Sequence, residues 1–137
     1  MKATCYRFAM LVLISLAVSG CQTLSEKKSD MQLRETLYSY HSTVRWGLLE
    51  HAYQFLKPND EGAAVSVPED LDTIRVTGYD VVLPPAYLTE TTVTQTAKIS
   101  YVFIDKPVER SLTDIQQWEY DEELKLWFRT NPIPEFK

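Results

Sequence analysis

The sequence predicts an α+β domain in which an N-terminal helical hairpin packs on one face of an antiparallel, four-stranded meander. Three observations predict it. Apolar residues recur at helical spacing from Leu33 to Leu48. From Thr73 onward the period shortens to two. The helical half precedes the strand half without interleaving. The chain has 137 residues, which suits one domain and not two. Hydrophobic residues at 45% and charged residues at 24% are globular proportions, so a packed core rather than a disordered chain is expected.

Taken in order, the first helix begins at Met31. Leu33, Leu37, Tyr40, Val44 and Leu48 share one face of a 3.6-residue period. Ser29 or Asp30 is placed to cap its start, and Gly47 interrupts it. A second, short helix carries Leu48, Leu49, Ala52, Phe55 and Leu56, and Lys57-Pro58-Asn59 ends it. A single bent helix is the alternative. Residues 59–70 read as a loop with a helical turn near Pro68.

Four β-rich runs follow, at 73–83, 91–104, 108–120 and 124–130. Pro84-Pro85, Asp105-Lys106-Pro107 and Asp121-Glu122-Glu123 separate them. In the first run Ile74 and Val76 alternate on even numbers, whereas Tyr79, Val81 and Leu83 continue on odd ones. A strict period of two cannot bury both sets, so a β-bulge is expected near Gly78. In the second run Val93, Ala97, Ile99, Tyr101 and Phe103 share a face. In the third, Val108, Arg110, Leu112, Gln116, Trp118 and Tyr120 share a parity, which makes Trp118 a core residue. In the fourth, Leu126 and Phe128 alternate with Trp127 and Arg129. Arg45 and Asp121 are expected to pair with backbone or with each other.

The N-terminal residues carry a different message. Lys2 and Arg7 form a positive n-region without an acid, and an uncharged run of 11 residues, Phe8 to Val18, follows. That run is too short to cross a bilayer core of roughly 30 Å as a helix. Val18-Ser19-Gly20-Cys21 then resembles the bacterial lipobox, in which a cysteine sulfur receives diacylglycerol and a peptidase cuts before that cysteine. The resemblance implies a signal peptide at 1–20, a lipidated tether at 21–30 and a domain at 31–137. Loss of Lys2 and Arg7 takes the net charge from −5 to −7. Cys5 leaves with the signal and Cys21 becomes a thioether, so the domain has no disulfide and depends on its core. Gln22 at the second mature position is similar to the outer-membrane sorting pattern of such lipoproteins. The tether, Gln22 to Asp30, is polar and reads as a flexible coil.

A wider resemblance rests on several short stretches. Val44-Arg45-Trp46-Gly47 precedes Ala52 and Phe55, and is followed by Val76-Thr77-Gly78-Tyr79, Trp118-Glu119-Tyr120-Asp121 and Trp127. Together with helices first and a meander after them, these resemble small proteobacterial outer-membrane lipoproteins of the nuclear transport factor 2-like (cystatin-like) fold. The resemblance implies a curved, cone-like sheet. It implies no particular activity, because that fold hosts enzymes, binders and structural modules.

Composition limits the chemistry. An acidic balance of 14 basic to 19 acidic residues disfavours a nucleic-acid partner. His41 and His51 are the two histidines, ten apart and without a metal-binding pair, so no metal and no cofactor is expected. No G-x-S-x-G elbow occurs. For acid–base work, Tyr101, Arg110 and Gln116 have inward parity, and His41 overlooks the same space from the first helix. The sequence therefore leads to a non-catalytic, periplasm-facing lipoprotein held in the outer membrane by Cys21, with an envelope protein or small ligand as partner. The alternative is a small hydrolase, isomerase or dehydratase that uses these four residues in the cone.

Overall fold

The computed structural model describes residues 20–59 and 65–137, with side chains from Glu26 onward. The expected signal segment therefore lies outside the described residues, apart from the backbone of Gly20, and so does the Cys21 side chain. Helix α1 spans Gly20–Trp46, and 3-10 helices follow at Leu49–Phe55 and Glu69–Thr73. Strands β1 (Ile74–Tyr87), β2 (Thr92–Phe103), β3 (Lys106–Asp121) and β4 (Leu126–Arg129) follow. The sheet is antiparallel, open, and ordered β1-β2-β3-β4. The fold is α+β: one long helix and a small one packed on a four-stranded sheet.

Helix α1 contains neither glycine nor proline after Gly20, so nothing in its backbone chemistry stops it before Gly47. Its buried stripe is Leu33, Leu37, Tyr40 and Val44, as the spacing predicts, but Leu48, expected on the same face, lies past the helix end and is exposed. Its start differs. Residues 22–30, expected as a coil, continue the helix, and Ser29 and Asp30 lie inside it rather than capping it. Tertiary bonds hold this turn. Trp127 Nε1 donates to the Ser29 carbonyl at 3.1 Å, and the Tyr87 hydroxyl donates to the Asp30 carboxylate. The helix ends where expected. A Cβ at Gly47 would lie 2.8 Å from the Thr43 carbonyl oxygen, which already accepts the Gly47 N–H at 3.0 Å.

The second arm of the expected hairpin is a 3-10 helix rather than an α-helix, burying Leu49 and Ala52. Its seven residues make little more than two turns before Leu56 turns extended and bridges Arg129 in parallel. Lys57 N–H then donates to the Arg129 carbonyl at 2.8 Å, covering the outer edge of β4. The turn expected near Pro68 is the second 3-10 helix, which buries Leu71.

The expected bulge is present. Val76 pairs with Tyr101 and Gly78 with Ser100, so Thr77 is the inserted residue and both Val76 and Tyr79 face the core. The Thr77 hydroxyl is buried without a hydrogen-bond partner, a local cost of the insertion. Further register shifts fall between Val81 and Leu83 and between Leu83 and Ala86. Pro84-Pro85 does not end the strand, contrary to the sequence expectation. Because β1 is an edge strand, a missing N–H there can fall on the open side or at an irregularity.

Arg45 closes the junction of helix and sheet. Its Nη1 donates to the Val76 carbonyl at 3.0 Å beside the bulge, and its guanidinium stacks 3.7 Å from the centre of the exposed Trp46 ring. Asp121 instead accepts the backbone N–H groups of Glu123 and Leu124 in the β3–β4 turn. The two residues thus pair with backbone and not with each other.

Between helix and sheet lies the core. Trp118 meets Tyr40 edge to face at 5.3 Å, and Phe55 stands against both. On β3, inward parity is matched by burial at Asp114, Gln116 and Trp118, but Val108 and Arg110 are exposed. Parity decides a face; it does not decide how far the covering elements reach along it. The last residues cover part of the remainder, with Ile133 buried and the Phe136 ring 5.0 Å from Tyr101.

Candidate functional site

The inward faces of β2, β3 and β4 place Gln95, Asp114, Gln116 and Arg129 under helix α1, where Tyr40 and Tyr79 join them. Arg129 Nη2 donates to Asp114 Oδ1 at 2.7 Å, and Nη1 donates to Asp114 Oδ2 at 3.0 Å and to the Tyr40 hydroxyl at 2.7 Å. Its remaining donors reach backbone: Nε to the Asn131 carbonyl at 3.1 Å and Nη2 to the Pro132 carbonyl at 2.8 Å. All five guanidinium N–H groups are engaged. Asp114 Oδ2 also accepts Tyr40 at 3.3 Å and Gln116 Nε2 at 3.0 Å. Gln116 donates further to the Tyr79 hydroxyl at 2.7 Å, and its Oε1 accepts Trp118 Nε1 at 3.2 Å and Gln95 Nε2 at 3.5 Å.

This cluster is closed to solvent, with Tyr40, Asp114, Gln116 and Arg129 each at most 1% exposed. Burial, opposed in part by the nearby Arg129, pushes the Tyr40 phenol well above its usual range. Burial likewise pushes Tyr79 up to about 12, although its hydrogen bond from Gln116 works the other way. For Arg129, burial works against the charge, but the hydrogen-bonded Asp114 carboxylate outweighs it and holds the guanidinium charged. Both tyrosines therefore stay neutral near pH 7 and are poorly matched to proton transfer there. The geometry joins helix to strands through a saturated polar knot. It offers no open side to a reactant.

The four candidates, three chosen by strand parity and His41 on the helix, have different settings. Gln116 lies at the centre of the knot. His41 is half-buried at its rim, stacked on the Tyr79 ring at 4.4 Å and 18°. Tyr101 is buried elsewhere, between Phe103 and Phe136, and its hydroxyl exchanges hydrogen bonds with the carbonyl and N–H of Lys137. Arg110 pairs with Tyr101 in register, but it is exposed and its guanidinium lies 5.2 Å from the centre of the Phe103 ring. Strand parity and the helix face placed these four around one cavity; the structure does not bring them together. Sequence reasoning passed over Asp114 and Arg129. The available signal was an acid and a base, both on buried parities, in strands joined by a short turn.

At the other end of the sheet, the β1–β2 turn, the β3–β4 turn and the first described side chains of α1 line an open groove of about 1140 Å³. Glu26, Lys28, Glu90, Glu122 and Lys125 give it a mixed-charge rim. Among the described residues, no group of three or more His, Cys, Asp or Glu is arranged to hold a metal ion. No helix of the described residues is long and apolar enough to cross a membrane. No protein-family model matches the chain, and no curated protein is found similar to it.

Proposed function

We propose that the chain is a lipoprotein, anchored in the bacterial outer membrane through Cys21 and facing the periplasm, whose domain binds an envelope protein or small ligand without catalysis. The observation that carries the reading is the sequence of n-region, 11-residue apolar run and Val18-Ser19-Gly20-Cys21. The closed, fully hydrogen-bonded state of the Asp114–Arg129 knot supports a structural role for the buried polar residues. One long helix followed by a meander in the order β1-β2-β3-β4 supports the resemblance to the nuclear transport factor 2-like (cystatin-like) group.

Metabolic labelling with a fatty acid, combined with membrane fractionation, tests the anchor. Wild type should take up label and sediment with outer membrane, whereas Cys21→Ser should take up none and remain an unprocessed precursor. An unlabelled, soluble wild-type protein would reject the reading. Purification of the lipidated chain from its own envelope should then recover a stoichiometric companion or bound ligand.

A further inference from the structure

The end of the domain that carries the groove is also the end at which α1 begins. The β1–β2 turn (Leu88–Thr91) and the β3–β4 turn (Glu122–Lys125) flank Glu26 and Lys28 there. Leu88 and Leu124 project from these two turns, 63% and 58% exposed. We propose that this end rests on the bilayer holding the Cys21 anchor, with Leu88 and Leu124 entering the headgroup layer of a zwitterionic phospholipid surface. The proposal rests on the lipoprotein reading above and extends it to an orientation.

The length and stiffness of the connection argue for it. Because residues 21–30 are helical, the path from Cys21 to Asp30 is about 14 Å at 1.5 Å per residue, without the slack of a coil. Three contacts lock α1 to the sheet around that point: Trp127 to Ser29, Tyr87 to Asp30, and Tyr120 to Gln32. The turns therefore cannot swing freely away from the attachment point. The polar layer on each side of a bilayer core is itself roughly 5–8 Å thick. Charge selects the surface. Lys28 and Lys125 suit lipid phosphates, Glu26, Glu90 and Glu122 suit the ammonium groups beside them, and the excess of acid disfavours an anionic surface.

The test uses the full chain, produced with lipidation and reconstituted into phosphatidylcholine vesicles. Cys5 is lost with the signal and Cys21 is alkylated, so Leu88→Cys, Leu124→Cys or the opposite-pole control Leu48→Cys provides one labelling site for an environment-sensitive fluorophore. All three positions are exposed, and an unchanged urea midpoint confirms each fold. The expected result is blue-shifted emission and quenching by brominated lipid at positions 88 and 124 but not at 48. Adding phosphatidylglycerol should weaken both signals. Lipidated protein with positions 88 and 124 as water-exposed as 48 overturns the orientation alone. Mass spectrometry that finds no acyl chains overturns the anchor, and the orientation with it.

Discussion

Arg129 reaches past its register partner Trp118 to grip Asp114 with both arms, at 2.7 and 3.0 Å, and both side chains are sealed from water. The pair links the short last strand to the middle of β3, and through Tyr40 it links both to the helix. Removing one partner leaves a buried charge without compensation, a cost of about 3–5 kcal/mol. Arg129→Met and Asp114→Leu should each lower the urea midpoint strongly. The double variant should recover much of the loss, because two apolar side chains leave no stranded charge. A double variant that loses the sum of the two would show that the pair is not coupled.

Trp118 presents a different kind of dependence. It is buried against Tyr40 and Phe55, and Gln116 accepts its indole N–H. Trp118→Ala should cost about 3–5 kcal/mol through the cavity it leaves. Urea unfolding followed by circular dichroism measures this directly, and a midpoint close to wild type would remove Trp118 from the core that holds the fold.

Gly47, just past the end of α1, and Gly78, beside the β1 bulge, should respond unequally to alanine. At Gly47 a Cβ meets backbone, the Thr43 carbonyl oxygen, which cannot move without disturbing the last turn of α1. At Gly78 it meets the Ser100 side chain at 3.3 Å, where a few tenths of an ångström suffice. Gly47→Ala should cost about 1–3 kcal/mol, in the range of overpacked cores, and Gly78→Ala less. Equal shifts in thermal midpoint would contradict this ranking.

Alkaline pH should loosen the domain through Tyr79. Its phenol is pushed up to about 12 in the fold, chiefly by burial, against an ordinary value of about 10 in an unfolded chain. The folded state holds this proton more tightly, so the contribution is complete below pH 10 and is lost as pH rises towards 12. Tyr79→Phe cannot titrate. The advantage of wild type over that variant, read from urea midpoints, should therefore shrink as pH rises from about 10; a constant difference would place the titration elsewhere.

Periodicity made most of the fold legible. The stripe Leu33-Leu37-Tyr40-Val44 and the bulge before Gly78 are local patterns and both are present, although Leu48, Val81 and Leu83, expected on the same faces, are exposed. What escaped depends on distant partners. Ser29 and Asp30 have the chemistry of helix caps, but Trp127 and Tyr87 hold them within a longer helix. Arg110 and Gln116 share a parity, yet one is exposed and the other fully buried, because cover along a strand comes from other elements. The polar knot was hidden for a related reason. Charged residues are usually solvated, and only the meeting of β3 with β4 makes Asp114 and Arg129 an exception.

The irregular course of β1 has a consequence for crowding. An outer strand of 14 residues with exposed Val81, Val82 and Leu83 is, by composition, a template on which another chain could add a strand. Three register shifts and two consecutive prolines break up the row of free backbone donors and acceptors that such pairing needs. If the proposed Cys21 anchor holds, copies confined to one surface meet far more often than copies dissolved in a volume. For such a population the bulges and prolines act as spacers, keeping neighbouring domains from zipping together into sheets.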